Sequence, residues 1–539
     1  MVAKTNPGGP GNTALVPRRR SGGKRSATGC RQITRIRHKK CDEAPGGACY
    51  NCTSTGRRCD GYDLSRLPRA SKNRTLDLSE TKLVPGLTVG LHRMMNRDEQ
   101  RCFAYFQYRT MPAMVGFFDS SLWQKLILQI SHDDAAVYHA VVALSAFHQD
   151  SERQGMPLPK EDLGNTWHRF ALEQSARSFA LLSTRRASHD PRLREVTLLC
   201  CLVFVLLEWL RGQYDKAFEH LRSGVQILKE LGVTLTEDDL SSTRAVPIDH
   251  CLVTQFAYLD TQSIQFGEQN SLVGDRSGPG PDQPHLIDTD TLTLQSIPDA
   301  RQALNHILGP VMNLSNFAQA LSPEQIAARY ESLYLEQCKL CAEVDRFSRA
   351  FDHFRRAKHA ELSAKEQRGA DLIRLHQATA SLLLETCFLN GNDPRLDVYS
   401  ADFERILALV DGVIDAFPDR PSVCLDMGVI PPLFFVATGC SSYRLRRRAI
   451  QALRAWPHRE GPWDSNLAAR VATESMEVEA MLRASASPLP LAKDAYSLGG
   501  DIFSLRGIFV SVSEDQSHTR MSYYVGDEWI ERWFRRDQT

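Results

Sequence analysis

The stretch that decides the fold is GCRQITRIRHKKCDEAPGGACYNCTSTGRRCDGY, residues 29–62, which holds five of the fourteen cysteines in the chain. These five are Cys30, Cys41, Cys49, Cys52 and Cys59. A segment of about thirty residues is too short to bury an adequate apolar core, so a bound metal has to hold it together. The spacing Cys49-x2-Cys52-x6-Cys59 is typical of thiolate sets that bind zinc, which prefers tetrahedral sulfur coordination. The sequence therefore predicts a zinc-dependent module in this stretch.

Metal binding is favoured over disulfide formation because the sequence shows no sign of secretion. The N-terminus lacks the apolar core of a signal peptide. The most apolar run, Val196–Leu207, has twelve residues, whereas a membrane-spanning helix needs about 20. We therefore expect a reducing compartment, no membrane association, and clustered cysteines that hold metal.

The distribution of charge separates the first part of the chain from the rest. Residues 1–70 contain 15 Lys and Arg against 4 Asp and Glu, and the remainder contains 50 against 60. A basic head on an acidic body predicts an anionic partner for the head alone. Within the head, Arg18-Arg19-Arg20 and Lys24-Arg25 have the composition of a nuclear import signal, although a solvated charged tail has the same composition.

Residues 29–62 resemble the fungal binuclear zinc cluster DNA-binding domain. That family has six cysteines, spaced C-x2-C-x6-C, a loop, and again C-x2-C-x6-C. The segments RIRHKKCDE and GRRCDGY match it closely. The resemblance implies two zinc ions, two bridging cysteines, and Cys30, Cys41, Cys49, Cys52 and Cys59 as metal ligands.

One position departs from the family pattern. The second cysteine is expected at position 34, where this chain has Thr34, and Cys30 lies one place earlier than the family spacing requires. Three explanations stay open: an error in translating the gene around Arg31–Thr34, a zinc whose fourth ligand is water or another side chain, or a degenerate module. One of the two zinc sites is therefore in doubt.

A basic block between the first two cysteines is the expected DNA-reading element. It consists of Arg35, Arg37, His38, Lys39 and Lys40. Arg and Lys donate hydrogen bonds to guanine O6 and N7 in the major groove, and further cations neutralise phosphates. The family's base-reading pair falls on Arg37 and His38, which implies CGG-type sites in double-stranded DNA. The alternative is a basic surface or import signal without base recognition.

The rest of the chain is expected to contain an arm, a linker and one large helical domain. Residues 1–28 are predicted to be a disordered basic arm, 29–62 the zinc cluster, 63–90 a linker and 91–539 the helical domain. The family often reads paired half-sites, which leaves a homodimer open, although the linker has no sustained heptad and Pro68 would interrupt one. The predicted helices include 166–184, 193–210, 213–231, 249–266, 299–319, 323–353, 364–389, 401–416, 443–455, 464–484 and 521–535.

Two further expectations concern segments without a long helical pattern. Residues 268–298, with GDRSGPGPDQP, are predicted to form a long loop or a disordered insert. Gly507–Val512 is the most strand-like run. The predicted helix 521–535 carries Trp529 and Trp533 beside acidic residues, which is typical of a helix that docks on a core or contacts a coactivator.

The start of the helical region has a second family resemblance. Residues 102–148, beginning CFAYFQYRTMPAMVGFF, resemble the opening of the fungal-specific transcription factor regulatory domain. Gln213–Ala217, before an amphipathic helix, is similar to it as well. The resemblance implies an all-α regulatory domain for effectors or partners.

The fold class expected from these observations is mainly α, with a small N-terminal binuclear zinc cluster and a large all-α regulatory domain. The expected function is a nuclear, sequence-specific DNA-binding regulator of RNA polymerase II genes that works with transcription machinery or coregulators. The alternative is a degenerate, non-DNA-binding regulator that acts through protein partners. An enzyme is not expected, because no nucleophile elbow, phosphate loop, dinucleotide fingerprint or HExxH motif stands out.

Overall fold

A computed structural model describes residues 49–59, 96–186, 188, 190, 192–231, 250–265, 292–389, 393–485, 505–513, 517–525 and 528–535. The chain divides into two units, Met1–Leu83 and Val84–Thr539. The expectations for the arm 1–28, the linker 63–90 and most of the insert 268–298 lie outside the described residues.

Helices dominate the described residues. In the first unit, α1 is the single turn Tyr50–Thr53. The second unit contains α2 Arg97–Tyr105, α3 Met111–Met114, α4 Ile127–Asp133, α5 Ala135–Arg153, α6 Thr166–Arg185, α7 Leu193–Arg211, α8 Tyr214–Glu230, α9 His250–Gln265, α10 Ile297–Ala320, α11 Pro323–Ala328, α12 Tyr330–Lys358, α13 Ala364–Thr386, α14 Ser400–Asp415, α15 Ile430–Gly439, α16 Tyr443–Ala455 and α17 Ser465–Ser485. Single turns of π-helix, Phe106–Thr110 and Leu122–Leu126, and a 3₁₀ turn, Pro394–Tyr399, complete the helical set.

Local capping chemistry explains where several helices begin and end. The Asn165 side chain accepts from the Trp167 backbone N–H and starts α6. Ser363 and Glu366 form a reciprocal capping box at the start of α13. Helix α7 ends at Arg211, before Gly212, whose φ of 70° is left-handed and suits glycine.

The apolar interior is built around buried helices. Every residue of α7 from Leu198 to Arg211 is buried, as the apolar run up to Leu207 predicts, and the buried Glu208 and Arg211 pair with each other. Helices α5, α6 and α8 pack against it. A second cluster joins α14, α15, α16 and part of α17, and a third joins α10, α12 and α13. Such burial, at about 25 cal/mol per Å² of apolar surface, is what stabilises the helical unit.

Two small sheets accompany the helices. In the first, β1 Val423–Cys424 pairs in parallel with β2 Arg459–Glu460, which pairs antiparallel with β3 Trp463–Asp464. The second is an antiparallel meander of β4 Leu505–Val512, β5 His518–Val525 and β6 Glu528–Arg535. Strand β4 contains the strand-like run Gly507–Val512, so that expectation is confirmed.

The predicted helix 521–535 is wrong, because this segment forms β5 and β6. Trp529 and Trp533 lie four apart, which is a helical spacing, and this produced the error. The strands are rich in aromatic and β-branched residues, which favour extended backbone. Gly526-Asp527 between the two runs is a sequence typical of a hairpin connection. Val525 pairs with Glu528 and His518 with Arg535, so the two runs form one antiparallel ladder.

The mainly helical fold class is confirmed, with the two sheets as additions to the expected all-α domain. The sequence missed α15, whose composition IPPLFFVATG shows no amphipathic period. The predicted helix 323–353 is interrupted, since α11 ends at Ala328 and α12 begins at Tyr330. The remaining predicted helices agree with the structure to within a few residues at each end.

Candidate metal centre

The Cys49–Cys52 pair is positioned by a single helical turn. Cys49 lies immediately before α1, and the backbone N–H groups of Cys52 and Thr53 donate to its carbonyl oxygen at 3.0 and 3.1 Å. These two hydrogen bonds form the helical turn that joins the two cysteines. Two intervening residues are what one turn of helix needs to bring both thiols to the same side.

The chain then returns toward Cys49 through a left-handed residue. Gly56 has a φ of +64°, which a side chain would strain. The Arg57 N–H donates to the Cys52 carbonyl oxygen at 3.0 Å. The Cys49 N–H in turn donates to the Cys59 sulfur at 3.4 Å. These bonds bring the third cysteine back to the first two.

The three thiols are arranged so that they could hold a metal ion. Their Sγ atoms all lie within 4.8 Å of one another. Sulfurs on a tetrahedral zinc at about 2.3 Å are separated by about 3.8 Å, so small side-chain rotations would close the set. Cys49 and Cys52 are fully buried and Cys59 is half-buried. Soft thiolates in a shielded position are consistent with zinc.

The other expected site residues lie outside the described residues. This applies to the ligands Cys30 and Cys41, to Thr34, and to the basic block of Arg35, Arg37, His38, Lys39 and Lys40. Their roles stay predictions.

Two exposed arginines next to the thiols are described by the structure but were missing from the expected DNA contacts. Arg57 and Arg58 are both exposed and immediately precede Cys59. Their signal in the sequence is the Gly-Arg-Arg-Cys run, which is also part of the match to the zinc cluster family. Exposed cations beside a set of metal-ligating thiols are suited to phosphate contacts.

A second pair with metal-ligand spacing, Cys338-x2-Cys341, belongs to a different environment. It lies on α12, with Cys338 exposed and Cys341 half-buried. Within the part of the chain that the structure describes, no third metal-ligating side chain joins this pair. The spacing there is the ordinary consequence of one helical turn.

Comparison with known families identifies the helical unit. The family described as the fungal specific transcription factor domain matches residues 101–457, which is well over half of the chain. The chain belongs to this family. The match to the fungal specific transcription factor domain begins in α2 and ends just after α16, so it covers the clusters around α7, α13 and α15.

Two curated relatives are named as transcription regulators. The Aspercryptin biosynthesis cluster-specific transcription regulator atnN of Emericella nidulans is 22% identical, over 84% of this chain and 87% of its own length. Transcription regulator lscL of Purpureocillium lilacinum is 26% identical, over 40% of this chain and 52% of its own length. No solved structure matches. These likenesses place the chain in transcription regulation.

None of the described helices combines the length and apolarity that crossing a membrane requires.

Proposed function

We propose that this chain is a zinc-dependent, sequence-specific DNA-binding regulator of RNA polymerase II genes that acts in the nucleus and catalyses no reaction. The observation that carries the proposal is the convergence of the Cys49, Cys52 and Cys59 thiols in a chain of this family. A metal-ligand set that follows a basic block supports a DNA-reading module rather than a redox or catalytic site.

The proposed division of labour follows the expected domains. Residues 1–28 are the basic arm, 29–62 the reader, 63–90 the linker and 91–539 the regulatory domain. Cys49, Cys52 and Cys59 supply three thiolates to zinc. Cys30 and Cys41 complete the ligands, and whether a second ion binds depends on what replaces the cysteine expected at position 34.

The proposed DNA contacts are of two kinds. Arg37 and His38 read base edges of CGG-type triplets, and the planar guanidinium of Arg37 matches guanine O6 and N7. Arg35, Lys39 and Lys40 neutralise phosphates, as do the exposed Arg57 and Arg58. The name of the relative atnN supports a biosynthetic gene cluster as the class of target. A homodimer on paired half-sites and binding of coregulators are part of the same proposal.

The test uses the full-length chain with zinc and two duplexes, one with paired CGG triplets and one scrambled. We expect about a thousandfold preference for the CGG duplex, lost when a chelator removes the metal. Weak, strongly salt-dependent binding to both duplexes would contradict sequence-specific reading.

A pair of arginine variants separates the two kinds of contact. Arg37→Ala should reduce the preference for CGG by about 1–3 kcal/mol, because it removes a base contact. Arg58→Ala should weaken binding to both duplexes equally and lower the salt slope by about one, because it removes a phosphate contact. Equal behaviour of the two variants would show that Arg37 does not read bases.

One observation favours a second function. Thr34 stands where the family has a ligand, and a neutral threonine is a poor partner for zinc. A chain with a degenerate cluster would regulate transcription through protein partners alone. In that case the full-length chain would bind neither duplex specifically with zinc present.

A further inference from the structure

A cavity of about 220 Å³ lies within the helical unit, between α10, α13, α15, α17 and strand β4. Protein interiors are packed as densely as organic crystals, with few voids larger than a water molecule. An engineered apolar cavity of about 150 Å³ is already large enough to bind benzene. This space therefore exceeds a packing defect and, scaled from benzene, fits a molecule of roughly 10 non-hydrogen atoms.

The cavity walls are mostly apolar. Leu308 of α10, Leu383 of α13, Phe434 of α15, Leu467 of α17 and Val510 of β4 contribute side chains from five different elements. Gln319 also lines the space and is exposed, so the cavity reaches the surface near the C-terminal end of α10. Apolar walls with an opening to solvent are the usual features of a small-molecule site.

Two threonines in the wall present oxygen lone pairs rather than hydrogens. The Thr379 hydroxyl donates to the Leu375 carbonyl oxygen at 2.8 Å, and the Thr438 hydroxyl donates to the Phe434 carbonyl oxygen at 2.8 Å. A hydroxyl whose hydrogen is used within its own helix retains only acceptor capacity. These side chains therefore favour a ligand with an O–H or N–H donor.

The ionisable groups of the wall are neutral or already paired. The Asp464 carboxylate accepts from Arg459 Nε at 2.9 Å and from two backbone N–H groups. His376 Nε2 lies 3.1 Å from the Met427 carbonyl oxygen, which can only accept, so this nitrogen carries the hydrogen. Burial lowers the pKa of His376 and keeps the ring uncharged. A charged ligand would lose its hydration without finding a counter-charge.

We propose that this cavity binds a neutral, largely apolar organic molecule that carries one hydroxyl or amide N–H, and that this group donates to the oxygen of Thr379 or Thr438. The observation behind it is the combination of size, apolar walls, acceptor oxygens and paired charges in one space. The site gives the regulatory domain a place for an effector, a consequence that rests on the proposed function. Binding itself can be measured without DNA, so failure of one proposal leaves the other intact.

The test is calorimetric titration of the full-length chain with three matched probes at neutral pH. The probes are 2-naphthol, a neutral donor; naphthalene, of similar shape without a donor; and 2-naphthoate, which is charged. We expect 2-naphthol to bind about fivefold more tightly than naphthalene, the usual contribution of one hydrogen bond, and 2-naphthoate not to bind. Binding of 2-naphthoate as tight as that of 2-naphthol, or no binding of 2-naphthol, would overturn the proposal.

Variants locate the binding and test the threonines. Thr379→Val with Thr438→Val preserves shape and should remove the advantage of 2-naphthol over naphthalene. Thr197→Val is the matched control, since its hydroxyl makes the same bond within α7, to the Leu193 carbonyl oxygen at 2.7 Å, away from the cavity. We expect this control to retain the fivefold advantage. An unchanged advantage in the double variant would show that the threonines are not the acceptors.

A space-filling variant asks whether the probe occupies this cavity. Ala380 is buried in the wall, and Ala380→Leu should weaken binding of both 2-naphthol and naphthalene by about tenfold or more, because the added side chain takes up part of the volume. The helical circular dichroism of the variant checks that it is folded. Unchanged binding in a folded Ala380→Leu protein would place the probe elsewhere and refute the assignment.

Discussion

Substitution of Glu460 tests how the wall of the cavity is held in place. Its carboxylate is completely buried and accepts from the backbone N–H groups of Gly428, Val429 and Ile430 at 2.8, 2.8 and 2.9 Å. His458 Nε2 lies 2.8 Å from the same carboxylate. The three N–H groups are at the start of α15, where a helix has no backbone partners of its own and carries partial positive charge.

The expected loss for Glu460→Gln follows from these contacts. The substitution replaces one acceptor oxygen by an amide NH₂, which would face backbone donors instead of accepting from them. A hydrogen bond to a charged group contributes about 1.5–3 kcal/mol. Interaction of the charge with the helix end adds about 1 kcal/mol. We therefore expect the free energy of unfolding to fall by about 2.5–4 kcal/mol.

The assay is urea unfolding of the full-length chain, followed by far-ultraviolet circular dichroism, which reports the helical unit. Glu404→Gln is the matched control, because Glu404 is exposed and pairs on the surface with Arg444 at 3.1 Å. Such a pair contributes at most about 1 kcal/mol, so the control should barely shift the midpoint. A Glu460→Gln midpoint that matches the control would refute the view that this carboxylate anchors α15.

Three further predictions concern other buried groups. Cys52→Ala should abolish zinc-dependent DNA binding and leave the melting temperature of the helical unit unchanged. Cys102 lies in the apolar core, so Cys102→Ser should lower that melting temperature by placing a hydroxyl there. Burial lowers the pKa of His148 from 6.5 to about 4. Its neutral form therefore contributes fully to the free energy of unfolding above pH 6.5, and this contribution is lost as pH falls toward 4. That loss is at most about 3 kcal/mol, and urea titrations of His148→Gln should show a flatter pH dependence than the natural chain across this window. Arg446→Met should cost about 3–5 kcal/mol in urea unfolding, because it leaves the buried Glu479 carboxylate, now bonded at 2.5 and 3.0 Å, without its counter-charge.

Local sequence signals were sufficient for most helices and for the spacing of the cysteines. Asn165 before α6 and Gly212 after α7 set helix ends through contacts within a few residues. Cys49 and Cys52 meet across one helical turn, which their spacing alone predicts. In each case the interacting groups are close in sequence, so the physical cause can be read from a short window.

Segments whose structure depends on distant partners could not be predicted in this way. Trp529 and Trp533 have a helical spacing, yet pairing with β5 makes the segment a strand. Helix α15 lacks amphipathic periodicity, and its start depends on Glu460, thirty residues later in the chain. The cavity is built from elements between α10 and β4 that meet only in the folded chain, so no single window of sequence predicts it.

The segment that leads into α15 is held by polar contacts from several helices. The Ser422 hydroxyl lies 2.8 Å from His148 Nε2 and donates to Glu152 Oε1 at 3.0 Å, both on α5. The Leu425 carbonyl oxygen accepts from Gln262 Nε2 of α9 at 2.9 Å. Each of these hydrogen bonds replaces one that the polar group would make to water. A buried polar group left without a partner would cost about 1–3 kcal/mol.

The same segment continues to the cavity with further anchors. Asp426 pairs with Arg301 of α10, the Met427 carbonyl oxygen accepts from His376 of α13, and Glu460 then caps the start of α15. These contacts pair the polar groups of the segment, and Phe434 and Thr438 of α15 line the cavity. Because this segment leaves only the Thr438 oxygen and apolar surface on the cavity side, its part of the wall offers a charged ligand no counter-charge. Loss of the Glu460 anchor should therefore weaken 2-naphthol binding as well as stability. The affinity for 2-naphthol, divided by the affinity for naphthalene, should fall in proportion to the fraction of protein in which Thr438 is displaced.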